Sequence, residues 1–232
     1  MRTERLHYDD PLELSLDAEV IAHAQWEGTP SVILDRTVFY PESGGQMGDH
    51  GVIGEARVHD AQLDPEGRVH HLVKEPLPSV GAKVIARVEA ARRRTHMALH
   101  TGQHALSRAL LDELSAVTVS SRLGESACTI DVDVAGITMD ALRPVQAAVD
   151  RLIDEDRAVR QWFADGAELE RLSLRKPATD RERVRVVDIE GWDTTPCGGT
   201  HVTHTAQIGL LFIHGVERYK GGSRITFEAG PR

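Results

Sequence analysis

Cys197, Gly198, Gly199, Thr200 and His201 set a thiol and an imidazole four residues apart across a glycine pair. Neither glycine carries a side chain, so the backbone can fold closely around a small ion. About a hundred residues upstream, a helix-forming run offers two more imidazoles in two registers, His96 with His100 and His100 with His104. Residues four apart on a helix project from one face and can aim two ring nitrogens at one point. Two such nitrogens, with a sulfur and a nitrogen from the turn, make a complete tetrahedral ligand set for zinc. A soft thiolate mixed with imidazoles also selects that metal. Spacing alone does not choose between the two helix registers.

The intervening residues limit the chemistry. Thr101, Gly102 and Gln103 separate His100 from His104, so the glutamate base of the metalloprotease His-Glu-x-x-His helix is missing. An electrophile more activated than a peptide, such as an ester, suits a zinc-activated water with no side-chain base. A closed four-ligand site would only hold the fold, whereas catalysis needs a free position. Cys128 lies in the strand-like Ala127–Asp131 run with no histidine beside it, so it reads as core.

Two cysteines in 232 residues cannot build a disulfide framework, which fits a reducing compartment. No apolar run approaches membrane-span length, and Met1–Arg5 lacks the apolar core of a signal peptide. The expected location is therefore the cytoplasm, away from any membrane. A formal charge of −9 argues against a generally basic nucleic-acid binder, DNA included. Local basic patches remain at Arg92, Arg93 and Arg94, and near the C-terminus at Arg218, Lys220 and Arg224.

Positioning these residues requires two kinds of structure. Residues 1 to about 90 contain short β-branched runs at 32–34, 57–59, 69–73 and 84–88, punctuated by Gly, Pro and Asp, as in a small barrel or sandwich. From Arg92 to Leu114 there is no Pro and one Gly, and Leu99, Leu106, Leu110 and Leu114 predict a helix with one buried face. A second helix is predicted from just after Thr138 to about Asp156 on the stripe Leu142, Val145, Val149 and Leu152. Strands are expected at 184–189, 208–216 and 224–228. The layout is α+β.

The motifs His100-Thr101-Gly102-Gln103-His104, Phe39 to Asp49 (FYPESGGQMGD) and Asp193 to Val202 (DTTPCGGTHV) resemble the editing domain of alanyl-tRNA synthetases. They resemble still more closely its free-standing relatives, the AlaX-type editing proteins. The resemblance covers nearly the whole chain. It implies a small N-terminal β-barrel domain over 1–90 that carries the glycine-rich motif, and a zinc-binding α+β editing domain with antiparallel sheet over 91–232. It selects His100 and His104 over His96, and it completes a site for one zinc with Cys197 and His201.

The implied activity is ATP-independent deacylation of mischarged tRNA-Ala. The ester of Ser-tRNA-Ala, and in some members Gly-tRNA-Ala, is cleaved with zinc polarising the substrate or a water. A site that hydrogen-bonds the serine hydroxyl would reject alanine by leaving its own polar group unpaired. Ser121, seventeen residues after His104, stands where family members carry a polar residue near the substrate, and Arg122 replaces a histidine common there. Gln103 and the Gly44-Gly45-Gln46 turn are further candidate substrate contacts, although Gly-Gly is more commonly a plain hairpin. Arg92, Arg93, Arg94, Lys220 and Arg224 are candidate tRNA contacts, since phosphate binding needs local positive charge. Two other readings use the same residues: a non-catalytic RNA-binding module held together by zinc, and an esterase acting on a small molecule.

Overall fold

The computed structural model describes residues 2–74, 76–178 and 183–230. The chain divides into two compact units, Met1–Arg94 and Thr95–Arg232.

In the first unit, a short parallel pair joins β1 (Glu4–Arg5) to β4 (Arg36–Thr37). The remaining strands are β2 (Ser15–Trp26), β3 (Thr29–Leu34), β5 (Gly51–Ile53), β6 (Ala56–Leu63), β7 (Val69–Val73) and β8 (Lys83–Val88). They close into an antiparallel barrel in the order β2-β3-β7-β6-β5-β8, which leaves no unpaired edge. Alternation sends Val20, Val32, Leu34, Val58, Ala86 and Val88 into its core. The expected strand at 32–34 is thus the end of β3, and the one at 57–59 begins the longer β6.

In the second unit, α1 (Ala90–Leu114) begins at the end of the first unit and is followed by β9 (Thr118–Leu123), β10 (Cys128–Val132), α2 (Arg143–Asp154), β11 (Val159–Asp165), the one-turn α3 (Gly166–Leu169), β12 (Arg183–Ile189), β13 (Asp193–Pro196), β14 (Leu211–Tyr219) and β15 (Gly222–Ala229). Two antiparallel sheets form, in the orders β14-β15-β10-β9 and β11-β12-β13. The α+β expectation holds.

Helix α1 is more central than an amphipathic helix with one buried stripe. Every residue from His96 to Ser107 is buried, polar ones included. Gly102 shows why one face admits no side chain. A Cβ there would lie 3.1 Å from both the Ala229 and the Leu211 side chains, so the helix backbone presses directly on β14 and β15.

Helix α2 starts later than the residue pattern predicts. Residues 138–142 form turns, with Leu142 N–H donating to Thr138 O, and Pro144 occupies the first helical turn, where its missing N–H costs nothing. Ile208 belongs to a short 3-10 turn, and Gly209 at φ 70° separates it from β14, which shortens the strand expected from 208. No helix among the described residues is long and apolar enough to cross a membrane.

Candidate metal centre

Helix α1 and the turn after β13 bring four donors together. The ring nitrogens of His100, His104 and His201 and the Cys197 sulfur all lie within 4.8 Å of one another. Cys197 Sγ is 3.4 Å from His100 Nε2 and 3.3 Å from His201 Nε2. Zinc–sulfur and zinc–nitrogen bonds of about 2.3 and 2.05 Å give a tetrahedral S···N edge of about 3.6 Å. The spacing and the donor set therefore fit a tetrahedral zinc. His96, one turn earlier on α1, stands outside this group.

The surrounding structure bears on which nitrogen His201 and His104 offer. Thr101 Oγ1 donates to Met97 O at 2.9 Å and accepts from Val202 N–H at 3.2 Å. His201 Nδ1 lies 3.2 Å from the same oxygen. On helix α1, His104 Nδ1 is buried without a hydrogen bond, 3.7 Å from Asp193 Oδ2. Asp193 is gripped in turn by Arg175, with Nε at 2.7 Å and Nη2 at 3.0 Å. A carboxylate beside Nδ1 favours a proton there and leaves the other nitrogen free, the usual outer-shell arrangement of a metal-binding histidine.

The turn itself is clamped by Arg185. Its Nη1 donates to the carbonyls of Cys197 at 2.9 Å and Gly199 at 2.8 Å, and its Nη2 donates to Gln161 Oε1. Cys197 N–H answers to Arg185 O, and Gly199 N–H points at the sulfur from 3.3 Å. One planar guanidinium thus satisfies two carbonyls of the turn.

Burial sets the charge states. It depresses the three imidazoles, His100 to about 3, with Arg185 adding to the effect, and His104 and His201 well below the ordinary histidine value. Neutral imidazole is the form that binds metal. Burial also raises the Cys197 thiol, against the opposing pull of Gly199 N–H and of Arg185 and Arg175. A cation in the cluster would stabilise the thiolate that burial disfavours.

The other predicted residues are distributed as follows. Ser121 pairs across the sheet with the buried Ile130, just as Thr118 pairs with Val132 and Leu123 with Cys128. An irregularity in the β9–β10 ladder near Val132 puts Ser121 on the buried face despite the odd spacing from Thr118. Gln103 is buried and its amide donates to Ser107 Oγ at 2.7 Å, which also accepts from Thr118 Oγ1 at 2.8 Å. Arg122 faces solvent, and Cys128 is core as expected.

In the first unit, Ser43 and Gln46 exchange backbone hydrogen bonds around Gly44 and Gly45, whose φ values of 58° and 86° suit a two-residue hairpin turn. Gln46 is buried. Arg93 is also buried, at 1 % exposure. It donates to both oxygens of Asp49 and to the carbonyls of Pro11 and Val38. Its charge is committed inside the first unit and does not face solvent, which removes it from any basic surface. Arg94 and Lys220 are exposed. Arg92 is half-buried, with Nε donating to Gly48 O, and Arg224 makes a two-pronged bond to Asp131 at 2.7 and 2.9 Å.

Sequence reasoning missed the roles of Thr101, Asp193, Arg175 and Arg185. Thr101 and Asp193 lie inside the motifs themselves, so a search for second partners of the candidate ligand histidines would have found them. Nothing in the spacing of Arg175 or Arg185 marks them.

Two family models match. Residues 184–226 match the threonyl and alanyl tRNA synthetase second additional domain, and residues 4–92 match class II (A) tRNA synthetases. Among relatives, alanine–tRNA ligase of Methanopyrus kandleri is 36 % identical over 98 % of this chain and 26 % of its own length. The alanyl-tRNA editing protein AlaX-L of Pyrococcus horikoshii is 33 % identical over 99 % of this chain and 58 % of its own. The alanyl-tRNA editing protein Aarsd1 of Rattus norvegicus is 35 % identical over 87 % and 49 %. The chain therefore spans about a quarter of the ligase and about half of each editing protein. By similarity that runs through both units, it belongs to the family formed by the alanyl-tRNA editing proteins and the matching segment of alanine–tRNA ligases.

Proposed function

We propose that the chain is a zinc-dependent, ATP-independent deacylase that hydrolyses tRNA-Ala mischarged with serine, and also with glycine, in the cytoplasm. The observation that carries this reading is the convergence of His100, His104, Cys197 and His201 in a chain similar along its length to proteins named for alanyl-tRNA editing. When bound, zinc would act as a Lewis acid toward the ester carbonyl. His100, His104 and His201 would hold it through neutral nitrogens and Cys197 through its thiolate, with Asp193 and Arg185 keeping the donors in place.

No side chain is assigned as a general base, which suits an aminoacyl ester better than a peptide. Ser121, on the buried face of its sheet, would read the serine hydroxyl. Alanine, which has no hydroxyl, would leave the Ser121 hydroxyl unpaired, a loss that a small polar pocket exploits for discrimination. Each unit would offer its own cations to a tRNA backbone, Arg92 and Arg94 in the first and Lys220 and Arg224 in the second.

The four protein donors, with three imidazoles almost wholly buried, also favour a second reading in which the ion is closed and structural. Hydrolysis of Ser-tRNA-Ala by the wild-type chain and by Cys197→Ala and His104→Ala separates the two. The proposal expects both variants to lose bound zinc and serine release together. Serine release that persists without the metal would remove zinc from the chemistry.

A further inference from the structure

Thr101 lies between the helix histidines and is completely buried. A buried threonine in a helix commonly turns its hydroxyl back to the carbonyl four residues earlier, and Thr101 does so, with its hydrogen on Met97 O at 2.9 Å. A hydroxyl has one hydrogen and two acceptor lone pairs. Once that hydrogen is spent, the oxygen can only accept. Val202 N–H occupies one acceptor position at 3.2 Å, and His201 Nδ1 faces the oxygen at 3.2 Å. Nδ1 must therefore carry the proton, since two lone pairs would otherwise meet. The other nitrogen, Nε2, is the one 3.3 Å from Cys197 Sγ.

We propose that Thr101 is a positioning residue for the metal: by accepting from Nδ1–H it holds His201 in the tautomer that presents the Nε2 lone pair to the cluster. Through Val202 N–H it also ties the Cys-Gly-Gly-Thr-His turn to helix α1, so the ligands from the two elements share one anchor. Thr101 is not one of the four clustered donors and acts through His201 and the turn. The inference rests on the proposed metal site and deepens it.

Two measurements on the 232-residue chain test it. In the first, long-range proton–nitrogen correlation spectra of histidine-labelled protein report which ring nitrogen of His201 carries hydrogen, with zinc bound and after chelation. Protonated Nδ1 in both states is expected, and an Nε2–H tautomer in the chelated protein would overturn the proposal with no variant needed. In the second, zinc affinity is measured by competition with a chromophoric chelator. Thr101→Ser keeps the oxygen and is expected to bind as the wild type does. Thr101→Val keeps the shape but loses the acceptor, and roughly 10–100-fold weaker binding is expected, the usual effect of deleting an outer-shell partner. Wild-type affinity in folded Thr101→Val would overturn the proposal, whereas failure of the wild type itself to bind zinc would overturn the metal site beneath it.

Discussion

Asp193 Oδ2 sits 3.7 Å from His104 Nδ1 while Arg175 donates to both oxygens of the same carboxylate. The strand that leads into the Cys197 turn thus also governs the helix histidine. Burial raises the Asp193 pKa, and the Arg175 hydrogen bonds and charge oppose that rise, so the ion pair keeps the anion available to His104. Asp193→Ala is expected to lower zinc affinity roughly 10–100-fold and to leave Arg175 without its partner. Equilibrium zinc competition checks the first effect, and thermal unfolding of the zinc-free variant checks the second.

Cobalt substitution gives a direct view of the thiolate. Chelation should strip the metal and lower the unfolding temperature, because a ligand bound only by the folded chain stabilises it. Reconstitution with cobalt(II) should produce tetrahedral d–d bands and a sulfur-to-cobalt charge-transfer band. In Cys197→Ser the charge-transfer band should vanish. Its survival would place the sulfur outside the site.

Arg93 and Arg94 are neighbours in sequence with opposite expected phenotypes. Removing Arg93 strands the buried Asp49 carboxylate, and breaking such a pair costs about 3–5 kcal/mol. Arg93→Ala should therefore unfold at markedly lower denaturant concentration. Arg94→Ala should unfold like the wild type and bind tRNA more weakly, with a shallower salt dependence. Equal stability of the two variants would contradict the buried pairing.

His71 predicts an acid sensitivity that lies apart from the metal cluster. Its Nδ1–H donates to Val32 O at 2.9 Å and its Nε2 accepts from the Thr37 hydroxyl at 2.8 Å. Burial lowers its pKa from 6.5 to about 4. Below 6.5 the unfolded chain takes up a proton that the folded chain refuses. The stabilisation is therefore complete above pH 6.5 and is lost as pH falls towards 4, by about 3 kcal/mol for this group. Denaturant titrations of chelated protein at pH 7 and pH 4.5 should show His71→Gln losing less stability on acidification than the wild type. An unchanged pH slope would count against a neutral buried His71.

The sequence made some elements readable and hid others for physical reasons. Helix α1 was legible because Arg92–Leu114 lacks Pro and repeats leucine at helical steps, and its donors were legible because cysteine and histidine types are scarce and chemically distinctive. The centrality of α1 was not, since polar residues such as Gln103 and Thr101 look exposed until Ser107, Thr118 and His201 supply their partners. Strand β2 escaped notice because only its first half alternates cleanly between buried and exposed residues, and it bends with a register shift between Val20 and Ala22. The start of α2 was misplaced because Asp140 imitates a first-turn acid, whereas Pro144 marks the true first turn. The basic run 92–94 read as one surface because charge alone carries no sign of burial.

The most direct test of the central claim is serine release from Ser-tRNA-Ala, measured beside alanine release from Ala-tRNA-Ala, with zinc-loaded, chelated and zinc-restored protein. The account predicts rapid release of serine with little release of alanine, loss of the serine reaction on chelation, and its return with zinc. Equal hydrolysis of both esters, or none of either by zinc-loaded protein, would contradict it.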